Sequence, residues 1–133
     1  MKTTKCIWVV DDDDIYQFTI KLQIQMLYPD AEVISFVDGE QAMKFVRDEL
    51  NLAEKCPQAM FLDINMPIMD GWDFLREINP YIEAYKNDIN IYMVSSSINP
   101  SDIAKANDHD LVTEYVTKPI TDDTLKEIFT AVY

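Results

Sequence analysis

Short apolar runs alternate with longer segments of helical periodicity along the chain. Five of the runs have the length of β-strands, and they comprise residues 7–10, 33–37, 59–62, 89–94 and 113–117. In the last run polar and apolar residues alternate, as is typical of an edge strand. Strands that alternate with helices favour a parallel sheet covered on both faces by right-handed crossovers. The pattern therefore predicts a single α/β domain of five strands and five helices.

The first predicted helix carries Ile15, Phe18, Leu22 and Met26 at the spacing of one helical face. This spacing is typical of the face with which an amphipathic helix packs on a core, and Asp14 is the expected N-cap. Later helices are expected to begin beside residues that cap helices well, namely Asp38, Asp70, Asn99 and Thr121.

The composition supports a folded domain and restricts its partners. Of the 133 residues 48% are hydrophobic, which is enough to form a core. Acidic residues outnumber basic ones by 24 to 11, and the net charge of −13 disfavours binding to nucleic acid or to an anionic membrane surface. Cys6 and Cys56 lie far apart without a CxxC spacing, which favours reduced thiols and a cytoplasmic location. The first apolar run is too short for a signal peptide or for membrane insertion.

Reactive side chains follow four of the predicted strands. Asp11 and Asp12 come after the first strand, Asp63 after the third, Ser95 after the fourth and Lys118 after the fifth. Because the carboxyl ends of parallel strands meet at one edge of the sheet, we expect these groups to lie close together. Clustered carboxylates require a cation or a proton to neutralise them, and oxygen ligands that stay partly open to water suit Mg²⁺. An aspartate beside a metal ion and a lysine is suited to nucleophilic attack on phosphorus.

Four short motifs resemble the receiver domain of two-component response regulators. They are VVDD at 9–12, LDINMPIMDG at 62–71, MVSS at 93–96 and YVTKP at 115–119. Their order and spacing match that family over essentially the whole chain. The resemblance implies a flavodoxin-like, three-layer (βα)5 fold with the strand order 2-1-3-4-5.

The resemblance also implies a phosphoacceptor and a metal site. Asp63 would accept a phosphoryl group from a histidine kinase or a phosphotransfer protein. Asp12, Asp63 and the backbone carbonyl of Asn65 would hold Mg²⁺, and Asp11 would act mainly through a metal-bound water.

Three further residues are implied to respond to the phosphoryl group. Lys118 would pair with Asp63 and then with the phosphate, while Ser95 would swing toward the phosphate and let Tyr115 turn inward. The peptide bond before Pro119 is expected to be cis. Such a domain is not an enzyme in its own right, because it catalyses only its own phosphorylation and dephosphorylation.

The expected partners are the phosphodonor and an unidentified downstream protein. Residues 1–133 are expected to form one receiver domain without an output domain, which signals through protein–protein contact. The fourth helix, the fifth strand and the last helix are the expected output face and the expected face for a dimer.

An enzymatic alternative stays open from the sequence. Haloacid-dehalogenase-type phosphohydrolases also use an aspartate after a buried strand, and Asp11-x-Asp13 resembles their D-x-D motif. Asp14 and Ile15 do not continue that motif, and the chain is short for a phosphohydrolase with a cap domain. Turnover of a phosphomonoester at Asp11 would favour this alternative, whereas stoichiometric labelling of Asp63 would favour the receiver.

Overall fold

The computed structural model describes residues 5–48, 55–85 and 88–133. Its five strands are all parallel and form one sheet in the order β2-β1-β3-β4-β5. The strands are β1 Cys6–Val10, β2 Glu32–Phe36, β3 Ala59–Asp63, β4 Asn90–Ser95 and β5 Val112–Thr117. The predicted flavodoxin-like fold is confirmed, and each predicted strand agrees with the observed one to within about a residue at either end.

Five α-helices lie entirely within the described ranges and cover both faces of the sheet. They are α1 Asp14–Leu27, α2 Gly39–Arg47, α3 Gly71–Ile82, α4 Pro100–Asp108 and α5 Asp122–Val132, and a short 3-10 turn, Glu83–Tyr85, follows α3. One core joins α1 and α5 to one face of the sheet, and a second joins α2, α3 and α4 to the other. Among the described residues, no helix combines the length and the hydrophobicity that a membrane span requires.

Side-chain caps begin the helices at the predicted places, with one exception. Asp38, Asp70, Asn99 and Thr121 each accept a backbone N–H in the first turn of the helix that follows. At α1 the cap is Asp13, whose carboxylate accepts the N–H groups of Ile15 and Tyr16. The prediction of Asp14 as the cap was therefore wrong by one residue.

The apolar face of α1 also lies opposite to the predicted side. Ile15, Phe18, Leu22 and Met26 point to solvent, with exposed fractions of 79%, 71%, 48% and 76%; we refer to these four residues as the α1 stripe. The residues that α1 buries instead are Gln17, Ile20 and Ile24. The helix thus carries two apolar stripes, and the polar Gln17 hid the buried one in the sequence.

Packing at the start of α3 fixes that helix to the end of β3. A Cβ atom at Gly71 would lie only 2.6 Å from the carbonyl oxygen of Asp63 and 3.0 Å from Cα of Ile64. The Gly71 N–H donates to the carbonyl of Ile64 at 2.8 Å. Because any side chain would meet backbone atoms here, glycine is what allows α3 to approach the strand this closely.

Candidate functional site

Three carboxylates meet at the carboxyl edge of the sheet. Asp11 and Asp12 follow β1, Asp63 ends β3, and these two strands are neighbours. One carboxylate oxygen from each residue lies within 4.8 Å of the other two. Asp11 and Asp63 are buried, whereas Asp12 is exposed at the mouth of the cluster. The predicted convergence of these acids is therefore confirmed.

Lys118 supplies the positive charge beside the acids. Its Nζ atom lies 2.7 Å from Oδ2 of Asp11 and 3.8 Å from Oδ1 of Asp63, so the ammonium is closer to Asp11 than the expected pairing with Asp63 suggests. The residue follows β5, and its backbone N–H donates to the carbonyl of Ser95 at 2.8 Å. The Lys118–Pro119 peptide bond is cis, as the resemblance implied.

The environment of Asp63 makes its ionisation unfavourable. Burial, followed by repulsion from Asp11, raises the pKa of the Asp63 carboxyl from an ordinary 3.8 to about 6. Lys118 and a hydrogen bond from the backbone N–H of Asn65 act in the opposite direction and favour the carboxylate. At neutral pH the carboxylate form therefore predominates, as a nucleophile requires.

A buried amide holds the loop that carries Asp11. The Nε2 group of Gln17 lies within 3.0 Å of the carbonyl oxygens of Val9, Asp11 and Phe36, which ties α1 to the ends of β1 and β2. One oxygen of Asp11 accepts the N–H of Asp13 at 2.9 Å, and the other pairs with Lys118. Both Asp11 oxygens are thus engaged within the protein.

Hydrogen bonds connect Ser95 to Tyr115 through the loop after β4. Ser95 is buried at the end of β4, and its Oγ accepts the N–H of Ser97 at 3.1 Å. The hydroxyl of Tyr115 donates to the carbonyl oxygen of Ser97 at 2.5 Å. Tyr115 is half-buried, so its ring already lies against this loop. The structure therefore links two of the predicted switch residues through a third, Ser97.

Exposed apolar side chains surround the same edge of the sheet. One exposed apolar residue follows each of the first four strands, either in the loop after the strand or in the first turn of the next helix. We name these four residues the apolar rim: Ile15, Val37, Ile68 and Ile98. The α1 stripe continues this rim along the helix. Four of the exposed large apolar residues described thus lie in loops or first turns at the carboxyl edge of the sheet, the edge that carries the acids.

Sequence reasoning missed two residues beside the acids, Gln17 and Tyr16. The ring of Tyr16 lies 4.3 Å from Nζ of Lys118. Burial and the charges of Asp11 and Asp63 raise the pKa of the Tyr16 phenol. A signal was available, since a glutamine between apolar neighbours in a helix after a site strand suggests a buried polar contact.

The cluster combines a buried carboxylate, an ammonium and further hard oxygen atoms. Carboxylate oxygens that are partly open to water fit a divalent cation of the Mg²⁺ type. A lysine and a metal ion can together neutralise the charge of a phosphoryl group in transfer. The arrangement is suited to accepting a phosphoryl group on a carboxylate.

Comparisons with known proteins agree with this chemistry. The family model of the response regulator receiver domain matches residues 7–130. A two-component response regulator from Cytophaga hutchinsonii is 32% identical, with a TM-score of 0.87 over 99% of this chain and 98% of that one. A receiver protein from Dyadobacter fermentans is 22% identical, with a TM-score of 0.83 over 98% of each chain, and shares the fold.

A curated relative extends the comparison to a larger protein. The sensor histidine kinase CheAY of Helicobacter pylori is 33% identical over 79 residues. That match covers 59% of this chain but only 10% of the kinase. These findings support the receiver interpretation and give no support to the phosphohydrolase alternative. The chain belongs to the response regulator receiver domains, the phosphoacceptors of two-component signalling.

Proposed function

We propose that Asp63 is the phosphoacceptor of this receiver domain. The observation that carries the proposal is the buried Asp63 carboxylate at the end of β3, beside the Lys118 ammonium and two further acids. Asp11 is less suited to attack phosphorus, because one of its oxygens accepts the Asp13 N–H and the other pairs with Lys118.

The proposed reaction transfers one phosphoryl group. An oxygen of the Asp63 carboxylate forms a bond to phosphorus while the bond from phosphorus to the donor, a phosphohistidine nitrogen or the acetate oxygen of acetyl phosphate, breaks. The donor leaves with the electron pair of that bond. Water later attacks phosphorus, which releases inorganic phosphate and restores the carboxylate. Lys118 balances charge on the phosphoryl oxygens during both steps.

Mg²⁺ is the cation that best suits the three acids. We infer that Asp12, Asp63 and the backbone carbonyl of Asn65 hold it, with Asp11 acting through a bound water. The engagement of both Asp11 oxygens within the protein supports this division. When bound, Mg²⁺ neutralises charge on the acids and on the phosphoryl oxygens.

Ser95 and Tyr115 are the proposed switch residues. The Ser95 carbonyl accepts the backbone N–H of Lys118, and the Ser95 hydroxyl accepts the Ser97 N–H. On rotating, the hydroxyl would give up the Ser97 N–H and, in exchange, donate its own proton to a phosphoryl oxygen. That exchange would alter the position of the Ser97 carbonyl, which accepts the hydrogen bond from the Tyr115 hydroxyl. The change then reaches the face of α4, β5 and α5, which we propose as the output face and as the face of any dimer.

The α1 stripe and the apolar rim are the proposed docking surface of the phosphodonor protein. The stripe begins at Ile15, directly beside the acids, so a partner seated on it reaches Asp63. Residues 14–27 carry one acid and one base, so α1 is locally neutral on a chain with a net charge of −13. A neutral apolar face next to a reactive group suits a macromolecular donor. We also propose that the chain acts in the cytoplasm as a receiver that signals by protein contact.

Intact-mass analysis after treatment with acetyl phosphate and Mg²⁺ tests the assignment of Asp63. Wild-type protein is expected to gain one phosphoryl group that maps to Asp63. Asp63→Asn is expected to gain none, because the nearly isosteric amide is a far weaker nucleophile and leaves the fold intact. Asp14→Asn, which changes an exposed acid near the site, serves as the matched control and should label normally. Aspartyl labelling of Asp63→Asn would refute the proposal.

A further inference from the structure

Tyr16 lies in the first turn of α1 and places its ring against Lys118. The distance from Nζ to the ring centroid is 4.3 Å. Within the described residues, the Tyr16 hydroxyl is buried and has no hydrogen-bond partner. A hydrogen bond through the hydroxyl therefore does not account for the position of this side chain, whereas packing of the ring against the core and attraction between the ring face and the ammonium do.

The backbone that carries the ring is fixed on both sides of Tyr16. The Asp13 carboxylate accepts the Tyr16 N–H at 3.1 Å as part of the helix cap. The next residue, Gln17, donates its side-chain amide to the carbonyls of Val9 and Asp11. These contacts anchor Tyr16 to the strand end that carries the acids. The backbone of the site therefore determines how closely the ring approaches the ammonium.

Lys118 lies between two carboxylates and needs a neutral neighbour. Its ammonium is 2.7 Å from Asp11 and 3.8 Å from Asp63, and 17% of its side chain is exposed. Phosphoryl transfer requires the ammonium near Asp63, where charge develops. A cation bound by the acids weakens the attraction of Asp11 for Lys118, so this pair no longer fixes the ammonium. The Tyr16 ring has no formal charge, so it retains the ammonium without drawing it away from Asp63.

We propose that Tyr16 is a positioning residue whose ring holds the Lys118 ammonium within reach of Asp63 during phosphoryl transfer. The inference rests on the proposed function, because it gives Tyr16 a part in the same reaction. The hydroxyl has no part in it. The property that matters is the negative electrostatic potential of the ring face.

The initial rate of labelling by acetyl phosphate and Mg²⁺, followed by intact mass, tests this role. Tyr16→Leu is expected to slow labelling by about fivefold to thirtyfold, because the ring no longer attracts the ammonium. Tyr16→Phe is expected to restore most of that rate, because it keeps the ring. Tyr81→Leu, which removes an exposed tyrosine ring on α3, is the matched control.

A series of fluorinated phenylalanines at position 16 separates electrostatics from packing. Each added fluorine weakens the attraction of the ring for a cation while the shape changes little, so the rate is expected to fall stepwise along the series. Thermal melting of each variant checks that the fold is retained.

Two results would overturn the inference while leaving the proposed function intact. If wild type labels at Asp63 and the fluorinated series keeps a constant rate, the ring acts by packing alone. If Tyr16→Phe is as slow as Tyr16→Leu, the hydroxyl is the functional group. Failure of the wild type to label at Asp63 would instead contradict the proposed function itself.

Discussion

The two ends of the sheet differ in how their polar groups are paired. At the amino end, Gln58 accepts the Cys6 N–H at 2.7 Å and the Tyr133 hydroxyl at 3.0 Å through its side-chain oxygen. Its backbone carbonyl accepts two N–H groups of Asn90. At the carboxyl end, three acids meet, and the Lys118 ammonium pairs with two of them, Asp11 and Asp63. Two described buried side-chain atoms that have neither a hydrogen bond nor an ion pair also lie at that end, the Tyr16 hydroxyl and Oε1 of Gln17.

This difference separates structure from function within one small domain. The polar groups described around Gln58 are paired with protein atoms, so they stabilise the fold. The acids at the carboxyl end repel one another, which costs stability until a cation neutralises them. Mutations at the two ends should therefore change stability with opposite signs.

The largest stability change is expected at the amino end. Gln58→Ala should lower the free energy of unfolding by about 2 kcal/mol, because the Cys6 amide and the Tyr133 hydroxyl lose their shared acceptor. Urea denaturation measures the loss, and labelling by acetyl phosphate should persist. Gln58→Glu keeps an acceptor oxygen and should lose much less. If Gln58→Ala were as stable as the wild type, the expected difference in stability effects between the two ends of the sheet would be contradicted.

A change of similar size and opposite sign is expected at the carboxyl end. Since the pKa of Asp63 is about 6 in the fold against an ordinary 3.8, the unfolded chain ionises first as the pH rises. The native state thus loses stability from about pH 4 to about pH 6 and regains none above it. Without metal, Asp63→Asn should gain on the order of 2 kcal/mol at about pH 7 and nothing near pH 4.

Urea denaturation at both pH values checks this dependence on Asp63. The exposed variant Asp14→Asn should show no such difference between the two pH values. An equal gain for Asp63→Asn at both pH values would mean that ionisation of this carboxyl does not cause the destabilisation.

The smallest stability change is expected on the α1 stripe. Phe18→Ser should alter the free energy of unfolding by less than about 0.5 kcal/mol, because 71% of this side chain is exposed. Transfer from a phosphohistidine protein that labels the wild type should slow by about tenfold, while labelling by acetyl phosphate is unaffected. Lys21→Ser, beside the stripe, controls for changes on the helix surface. Equal transfer rates for the two variants would exclude α1 as the donor surface.

The sequence predicted the sheet and the acids because both depend on strand ends. A buried strand stops where a charged residue begins, and parallel strands bring those ends together, so Asp11, Asp63 and Lys118 could be grouped without coordinates. The outward face of α1 could not be predicted in this way. Periodicity shows that apolar residues share a face, but two stripes overlap on α1 and only packing decides which one meets the sheet.

Details of the site depend on side-chain geometry that periodicity does not describe. Whether Lys118 lies nearer Asp11 or Asp63 is a matter of about an ångström, and depends on rotamers and on the charge present in the site. The approach of Tyr16 to Lys118 joins residues at opposite ends of the chain, and no local motif reports it. The capping residue of α1 was ambiguous because adjacent aspartates can each act as a cap.

The contact between Gly71 and the backbone of Asp63 makes one side of the site rigid. Because the start of α3 packs directly on the backbone of Asp63 and Ile64, little room is left there for side chains to repack, and α3 fixes the position of Asp63. On the side of β4 and β5, the site is held by the hydrogen bonds among Ser95, Ser97 and Tyr115, which can break and form again. Phosphorylation of Asp63, as proposed above, is therefore expected to shift the structure in one direction, toward α4 and β5.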